Sequence, residues 1–413
     1  MNIELVTIGT EILLGFTVDT NGAEIARQLG AVGIRVVHRA SVADERDAIR
    51  NGVADALART GAVIVTGGLG PTRDDITKAT VADLYGVPLD FDEGLWQALV
   101  ERYQRAGRVP VESNRTQAQV PRGATVLPNR WGSASGLWLE HAGRGLTILL
   151  PGVPFEMRNL MEHEVVPRLA PRAAGLVVRS RLVRTTGVAE AALAEQLGEI
   201  ERDIAPLSLA YLPDVAGVDL RLTAWQLPAG QADALLARGV ARIRSHAGDA
   251  VYGEGTDDLA AVVLEAARAR GLRIVVAESC TGGLVGGRLT DTPGSSDVVE
   301  AGVVCYSYES KTRLLGVPAE LVVAHGAVSE SVAREMAEGA LDRLGGDLSV
   351  AVTGIAGPGG GTPEKPVGTV WFATAMAGDV RAKRIVFFGT RAEVRARAAQ
   401  TALRLLLERS RQP

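Results

Sequence analysis

Ser279 and Lys311 are the residues whose types and setting most directly suggest chemistry. Ser279 follows an apolar run, 272–277, that reads as a buried strand, and a helix is expected to resume at 284–289. Where a strand runs into a Gly-rich turn and a helix start, an α/β fold gathers free backbone N–H groups. A hydroxyl placed there stands beside donors able to hold an oxyanion. Alone, this stretch reads better as a helix cap formed by Ser279 or Thr281. Two further strands change the balance. The run 298–305 leads to Tyr306 and Lys311, and the run 348–352 leads to Thr353 and a Gly/Pro loop ending at Pro366. A parallel sheet brings such ends together, so three polar clusters on consecutive strands suggest a built pocket. A desolvated lysine can take a serine proton where no histidine serves. A lone lysine, by contrast, is normally a solvated helix-end charge.

A second constellation lies near the N-terminus. The string 67–77, Gly-Gly-Leu-Gly-Pro-Thr-Arg-Asp-Asp-Ile-Thr, follows an apolar strand and precedes a helix expected over about 74–85. Its glycines let the backbone turn tightly and approach a ligand, and the helix presents its positive end to an anion. Asp74 and Asp75 have two readings. They cap the helix, or they supply hard oxygen donors to a divalent metal beside bound phosphates.

Bulk composition narrows the function classes. The chain has 413 residues, enough for two or three domains. Net charge is −4 with no basic block, which argues against a dedicated nucleic-acid surface. Gly is abundant at 48 residues while aromatics make up 4%, a balance that suits backbone-lined loops of an α/β protein. Two cysteines, Cys280 and Cys305, are too few for a disulfide scaffold. The start reads straight into a strand without a basic leader, and no apolar run reaches the length of a membrane span, so a cytoplasmic location is expected.

The positioning elements fall into three segments. Over 1–171, strands at 3–8, 34–37 and 62–65 alternate with helices at 20–29 and 44–58, the second N-capped by Asp44. Short βαβ units of this kind predict a doubly wound parallel sheet. Over 172–255, strands at 176–185, 208–211 and 219–225 with helices at 190–200 and 231–246 make a small α+β unit, ferredoxin-like or KH-like, read as a connecting or dimerising module. A KH-type RNA clamp would need a GXXG turn in a basic setting, which is missing. Over 256–413, helices at 259–269, 309–315, 329–344 and 393–408 accompany strands at 272–277, 298–305, 348–352, 367–376 and 380–388.

Several motifs resemble the CinA family. In the first segment they are 67–77, Gly9-Thr10-Glu11-Ile12-Leu13-Leu14-Gly15 with Asp19 and Asn21, and Leu150-Pro151-Gly152-Val153-Pro154-Phe155-Glu156-Met157. In the third they are Glu278-Ser279-Cys280-Thr281-Gly282-Gly283, Gly294-Ser295-Ser296, Tyr306-Ser307 with Lys311, Thr353-Gly354-Ile355-Ala356-Gly357-Pro358, and 361–370. The resemblance implies an N-terminal MoaB/MogA-like, molybdopterin-binding-like domain, a KH-like middle domain and a C-terminal α/β CinA deamidase domain. It implies an ADP-ribose pyrophosphatase in the first, with a divalent metal (Mg, Mn or Co) and Asp75 as the catalytic carboxylate. Asp74, Glu11 and Asp19 join Asp75 as implied metal ligands, and Gly68, Gly70, Thr72, Thr10 and Asn21 as implied substrate contacts. For the third domain it implies nicotinamide mononucleotide deamidation to nicotinic acid mononucleotide and ammonia, a step of pyridine nucleotide recycling that needs no cofactor. Val153 stands where a proline is expected, and Cys305, Tyr308 and Ser310 replace the expected Thr, Asn and Ala.

The expected mechanism is covalent. Ser279 attacks the carboxamide, Lys311 is base and then proton donor, and Tyr306 orients the pair. Amides around Cys280, Thr281, Gly282 and Gly283 hold the oxyanion, Ser296, Thr353 and Gly354 line the wall, and Arg391 or Arg395 takes the phosphate. Cys280 is the rival nucleophile. Partners are expected to be small nucleotides and a second copy of the chain, with no nucleic acid or membrane. The rival from another class is a non-catalytic nucleotide-binding regulator linked to competence or DNA damage.

Overall fold

The computed structural model describes residues 1–173 and 175–412. These form two compact units, 1–179 with 223–236, and 180–222 with 237–413.

In the first unit a six-stranded sheet has the order Arg35–Val42, Asn2–Ile8, Ala62–Thr66, Gly145–Leu150, Gly136–His141, Thr125–Leu127. The first four strands are parallel and the last two antiparallel. Both faces are covered, so alternate residues of one strand enter different cores. Ile64 packs with Ile3, Ile25, Leu29 and Ile148, while Val63 and Val65 pack with Val6, Ile49, Val53 and Val81. That is why Ala62–Thr66 reads as a continuous apolar run.

Over 1–171, two boundaries differ from expectation by three residues or more. The strand expected at 34–37 runs Arg35–Val42, because it is the sheet edge and its outer residues are polar and exposed. The helix expected at 74–85 begins at Thr77, with Ile76 at the N-cap and no side-chain cap. Asp74 and Asp75 therefore belong to the loop. Asp44 likewise does not cap the helix Arg46–Thr60, and instead accepts hydrogen bonds from Thr10 N at 2.8 Å and Thr10 Oγ1 at 3.0 Å.

The middle four-stranded sheet has the order Ser208–Asp214, Gly217–Pro228, Leu176–Thr185, Val251–Glu254, with helices Glu190–Leu197 and Ala229–Ala247. The division between the compact units passes through this module.

The second unit carries a five-stranded sheet in the order Val299–Val304, Ile274–Glu278, Leu348–Gly354, Thr369–Met376, Asp379–Val386. The first three strands are parallel, with Glu278 opposite Val304 on one side and Val352 on the other. Their C-terminal ends are thus level at Glu278, Val304 and Val352, so Ser279 and Cys305 leave the sheet side by side while Thr353 stays paired with Trp371. Helices Leu259–Ala269, Leu284–Thr290 and Arg391–Arg411 cover one face through Val276, Val350, Phe372, Val394 and Leu403. Glu330–Leu344 covers the other through Val275, Ala277, Ala351, Val332 and Met336. Among the described residues, no helix is long and apolar enough to cross a membrane.

Phe372 is fully buried and meets Phe387 edge-on, ring centroids 6.2 Å apart. Phe372→Ala leaves a cavity beneath the last helix and should destabilise this unit by about 3–5 kcal/mol. Urea unfolding of the full chain, followed by circular dichroism, should show the corresponding transition moving to lower denaturant.

Candidate active site

Lys311 lies on the short helix Tyr308–Leu315, whose first turn is capped by Ser307 Oγ accepting from Ser310 N. The helix starts just beyond a strand end, so its fourth residue folds back over the neighbouring strand. Lys311 is wholly buried, and Ser279 is 8% exposed. Lys311 Nζ lies 3.1 Å from Ser279 Oγ, 2.7 Å from Cys305 O and 3.3 Å from Tyr306 O. A neutral amine has two hydrogens and one lone pair. As an ammonium, Lys311 Nζ donates to all three oxygens; as a neutral amine it would give its two hydrogens to the carbonyls and turn its lone pair to the hydroxyl. Burial holds the Lys311 pKa below the ordinary lysine range, against a smaller opposing influence of the nearby thiols. The pair expected from the sequence therefore meets in space, and burial favours the neutral amine that general-base chemistry needs.

The turn after Ser279 is held from several directions. Ser279 N donates to Val352 O at 2.9 Å, and Gly282 N donates to Ser279 O at 3.1 Å. Glu278, 2% exposed, accepts from Gly283 N at 2.9 Å, Val285 N at 3.1 Å and Gly286 N at 2.8 Å. The expectation that Gly282 and Gly283 hold the oxyanion is corrected by these contacts, because both amides already have acceptors inside the protein. The amides of Cys280 and Thr281 remain, and among the described residues no carbonyl or carboxylate accepts from either. Glu278 had no assigned role from sequence. Its signal was a charge closing an apolar strand just before a glycine-rich helix start.

The Cys280 thiol faces the apolar core with Val276, Val285 and Val352. Burial pushes its pKa up to about 11, so it is protonated at neutral pH and poorly suited to act as nucleophile. Cys305 is also buried, and it serves Lys311 through its carbonyl.

Three expected positions are corrected. Ser296 lies in the turn Ser295–Asp297, before the strand Val299–Val304, and is therefore at the opposite end of the sheet from Ser279. Tyr306 touches Lys311 through its main-chain oxygen. Its phenol is 61% exposed with Arg391 Nη2 donating to it at 3.0 Å, so it does not orient the pair. Thr353 is fully buried and donates to Ala327 O at 2.8 Å, which ties the strand end to the loop before Glu330–Leu344 rather than lining a wall. Gly354 ends the strand Leu348–Gly354, where a Cβ would come within 2.7 Å of Val370 Cγ2. Arg391 also donates to Gly357 O at 2.8 Å, whereas Arg395 donates from Nε to Cys280 O at 3.1 Å and from Nη2 to Thr281 O at 2.9 Å.

In the first unit the loop 67–77 closes on itself. Thr77 Oγ1 donates to Gly67 O at 3.0 Å, and Thr72 N donates to Asp75 Oδ2 at 2.8 Å, joined there by the Thr72 hydroxyl. Gly68 has φ +65°, and a Cβ on it would meet Thr77 Oγ1 at 2.1 Å. A Cβ on Gly70 would meet Asp75 Oδ2 at 2.5 Å, so both glycines are required by close approach. Asn21 Nδ2 donates to Thr66 Oγ1 at 3.1 Å and Gly152 O at 2.8 Å, which ties this strand end to the loop at 151–153. Its buried Oδ1 has no partner, and so offers an acceptor to a ligand or water.

The four carboxylates do not form a metal cage. Among the described residues, no three of His, Cys, Asp or Glu are grouped to hold an ion. Asp19 is committed to Arg39 Nη2 at 2.8 Å, Gly22 N at 2.8 Å and Thr7 Oγ1 at 3.0 Å. Burial alone would raise its pKa, but these hydrogen bonds together hold it below the usual carboxylate range. Glu11 is exposed and folds back over Gly9. The Thr72 side chain holds Asp74 below its ordinary range. A divalent ion carried largely by substrate phosphates needs only one or two carboxylates, and Asp74 and Asp75 fit that lesser demand. Lys78 was missed from sequence. It is 7% exposed, donates to Thr116 O at 2.5 Å, and burial lowers its pKa to about 8 against the pull of Asp75. A lysine next to Thr77 on a helix's first turn was its only signal.

Fold and site together define a modular α/β protein with a buried Ser–Lys pair at the strand ends of one sheet and a Gly-rich loop at a strand end of another. Comparison with known proteins places it more closely. The chain matches the CinA C-terminal domain over 256–410, the "Probable molybdopterin binding domain" over 4–171, and the damage-inducible protein CinA KH domain over 180–253. It is 52% identical over 406 residues to a CinA-like protein of Gemmatimonas aurantiaca, covering 98% of this chain and 95% of that one. It is 45% identical over 415 residues to a CinA-like protein of Chlorobaculum tepidum, covering 98% of each. Among solved structures it is similar to the competence/damage inducible protein CihA of Agrobacterium tumefaciens, with 45% identity, 36% of this chain and 92% of that chain covered, and TM-score 0.36. The chain belongs to the CinA family, with a MoaB/MogA-like N-terminal domain, a KH-like middle domain and a CinA C-terminal domain.

Both cysteines are buried, and the Cys280 thiol has a pKa of about 11. Iodoacetamide at pH 7 should therefore leave both unmodified in the native protein and alkylate both in denaturant, as read by intact mass.

Proposed function

We propose that the C-terminal domain hydrolyses the carboxamide of nicotinamide mononucleotide, and that the N-terminal domain cleaves the pyrophosphate of ADP-ribose. The observation that carries the first reading is the 3.1 Å approach of a wholly buried Lys311 Nζ to Ser279 Oγ. Ser279 Oγ attacks the carboxamide carbon as its proton passes to Lys311 Nζ. The resulting oxyanion is held by the amides of Cys280 and Thr281. Lys311 returns the proton to the departing nitrogen, the C–N bond breaks, and ammonia leaves an acyl ester on Ser279. Water, deprotonated by the same lysine, cleaves that ester to nicotinic acid mononucleotide and frees the serine. Arg391 and the Tyr306 phenol form a polar rim suited to the anionic end of the substrate.

The second reading rests on the glycine loop and on the carboxylate pair Asp74 and Asp75. A divalent ion bound there would neutralise the charge of the pyrophosphate. The loop backbone cradles the phosphates, and Asn21 Oδ1 is free to accept a hydrogen bond from the substrate.

Purified protein should release ammonia from nicotinamide mononucleotide. Ser279→Ala and Lys311→Ala should each lower the rate by orders of magnitude, and the double variant little further, since the pair acts as one unit. No ammonia above background in the parent would favour the nucleotide-binding regulator instead.

The same assay has a pH signature. As pH falls through the depressed Lys311 pKa the amine becomes ammonium and loses its lone pair, so the rate falls on the acid side. The apparent pKa of that limb should lie below the free-lysine value of about 10.4.

ADP-ribose cleavage should stop with a chelator and return with a divalent ion. Asp75→Asn should suppress it with metal restored while ammonia release continues, as chromatography of the products would show.

A further inference from the structure

On the deamidase reading, Arg391 and Arg395 are rivals for the substrate phosphate, and their contacts separate them. Arg395 is half-buried near the start of Arg391–Arg411, and its guanidinium is engaged by two carbonyls of the catalytic turn, Cys280 O at 3.1 Å and Thr281 O at 2.9 Å. In a trans peptide the C=O and N–H point in opposite directions. The Cys280 carbonyl shares its peptide with the Thr281 amide. Drawing that oxygen toward Arg395 turns the Thr281 N–H the other way. The next peptide is held likewise, and its Gly282 N–H closes onto Ser279 O at 3.1 Å. Beyond it, Glu278 collects the amides of Gly283, Val285 and Gly286. A cation on the carbonyls and an anion on the following amides thus clamp the turn from two sides. The amides of Cys280 and Thr281 are the ones left over.

We propose that Arg395 is a positioning residue which orients the Thr281 peptide for the oxyanion, and that it does not bind the substrate phosphate. It acts through the backbone and touches no reacting atom. Removing it loosens a donor that matters only when the carbonyl oxygen becomes negative. The loss then falls on kcat rather than KM.

The test compares the parent, Arg395→Ala and Arg395→Lys. Ammonia release is measured from nicotinamide mononucleotide and from nicotinamide riboside, which lacks the phosphate. Arg395→Ala should lower kcat roughly 100-fold or more, the size of effect seen when one oxyanion donor is lost. KM should change little, and both substrates should lose equally. Arg395→Lys, able to reach a carbonyl with a point charge, should recover part of kcat. A selective rise in KM for the phosphorylated substrate, with kcat kept, would overturn the proposal in favour of a phosphate contact. Sulfonylation of Ser279 by phenylmethylsulfonyl fluoride, followed by mass spectrometry, gives a reading independent of the natural substrate. It should slow in both variants, with Arg395→Lys carrying the comparison if Arg395→Ala does not fold. Equal labelling rates in the parent and Arg395→Lys would overturn the brace. If the parent labels but releases no ammonia, the deamidase reading fails while the labelling comparison still decides the role of Arg395.

Discussion

The burial of one lysine is the constraint on which the second unit's site depends. An ammonium removed from water needs acceptors, and a neutral amine needs somewhere to place its hydrogens. Lys311 finds Cys305 O, Tyr306 O and Ser279 Oγ at one spot, because two neighbouring parallel strands end on the same level. Shifting Val299–Val304 by one rung would move the Cys305 carbonyl and leave the amine with an unpaired hydrogen in the core. The register of the sheet and the chemistry of the site are therefore one requirement.

The two Gly-rich turns solve a similar problem in different ways. In the first unit the turn after Ala62–Thr66 is stabilised by its own side chains, Thr77 Oγ1 on Gly67 O and Asp75 Oδ2 on Thr72 N. In the second unit the turn after Ile274–Glu278 is held by residues distant in sequence or buried beneath it, Arg395 and Glu278. On the proposed function, the first arrangement would suit a loop that accommodates phosphates, and the second a turn whose amides stay still while a charge develops.

Much of this was legible in the chain. Apolar runs marked the buried strands, and residues that change type sharply at their ends marked Ser279, Lys311 and the loop 67–77. What was not legible depended on direction or distance. Ser296 is close to a strand, yet only the strand's sense reveals that it sits at the wrong end. Tyr306 looked like an orienting hydroxyl because side chains are what a sequence displays, whereas the contact is made by its carbonyl. Asp44 and Asp74 stood at good capping positions, and longer-range hydrogen bonding with Thr10 and the loop geometry overrode that local preference. Arg35–Val42 was underestimated because an edge strand need not be apolar on both faces.

The service of Lys311 by main-chain carbonyls has an evolutionary side. Every amino acid carries the same carbonyl, so positions 305 and 306 can change their side chains without altering what the lysine meets. Cys305, where a threonine is expected, has its side chain in a closed core with its thiol directed to Glu278 O, apart from the carbonyl that Lys311 uses. The information that preserves the site resides in strand length and register, which tolerate drift in composition but not an inserted or deleted residue.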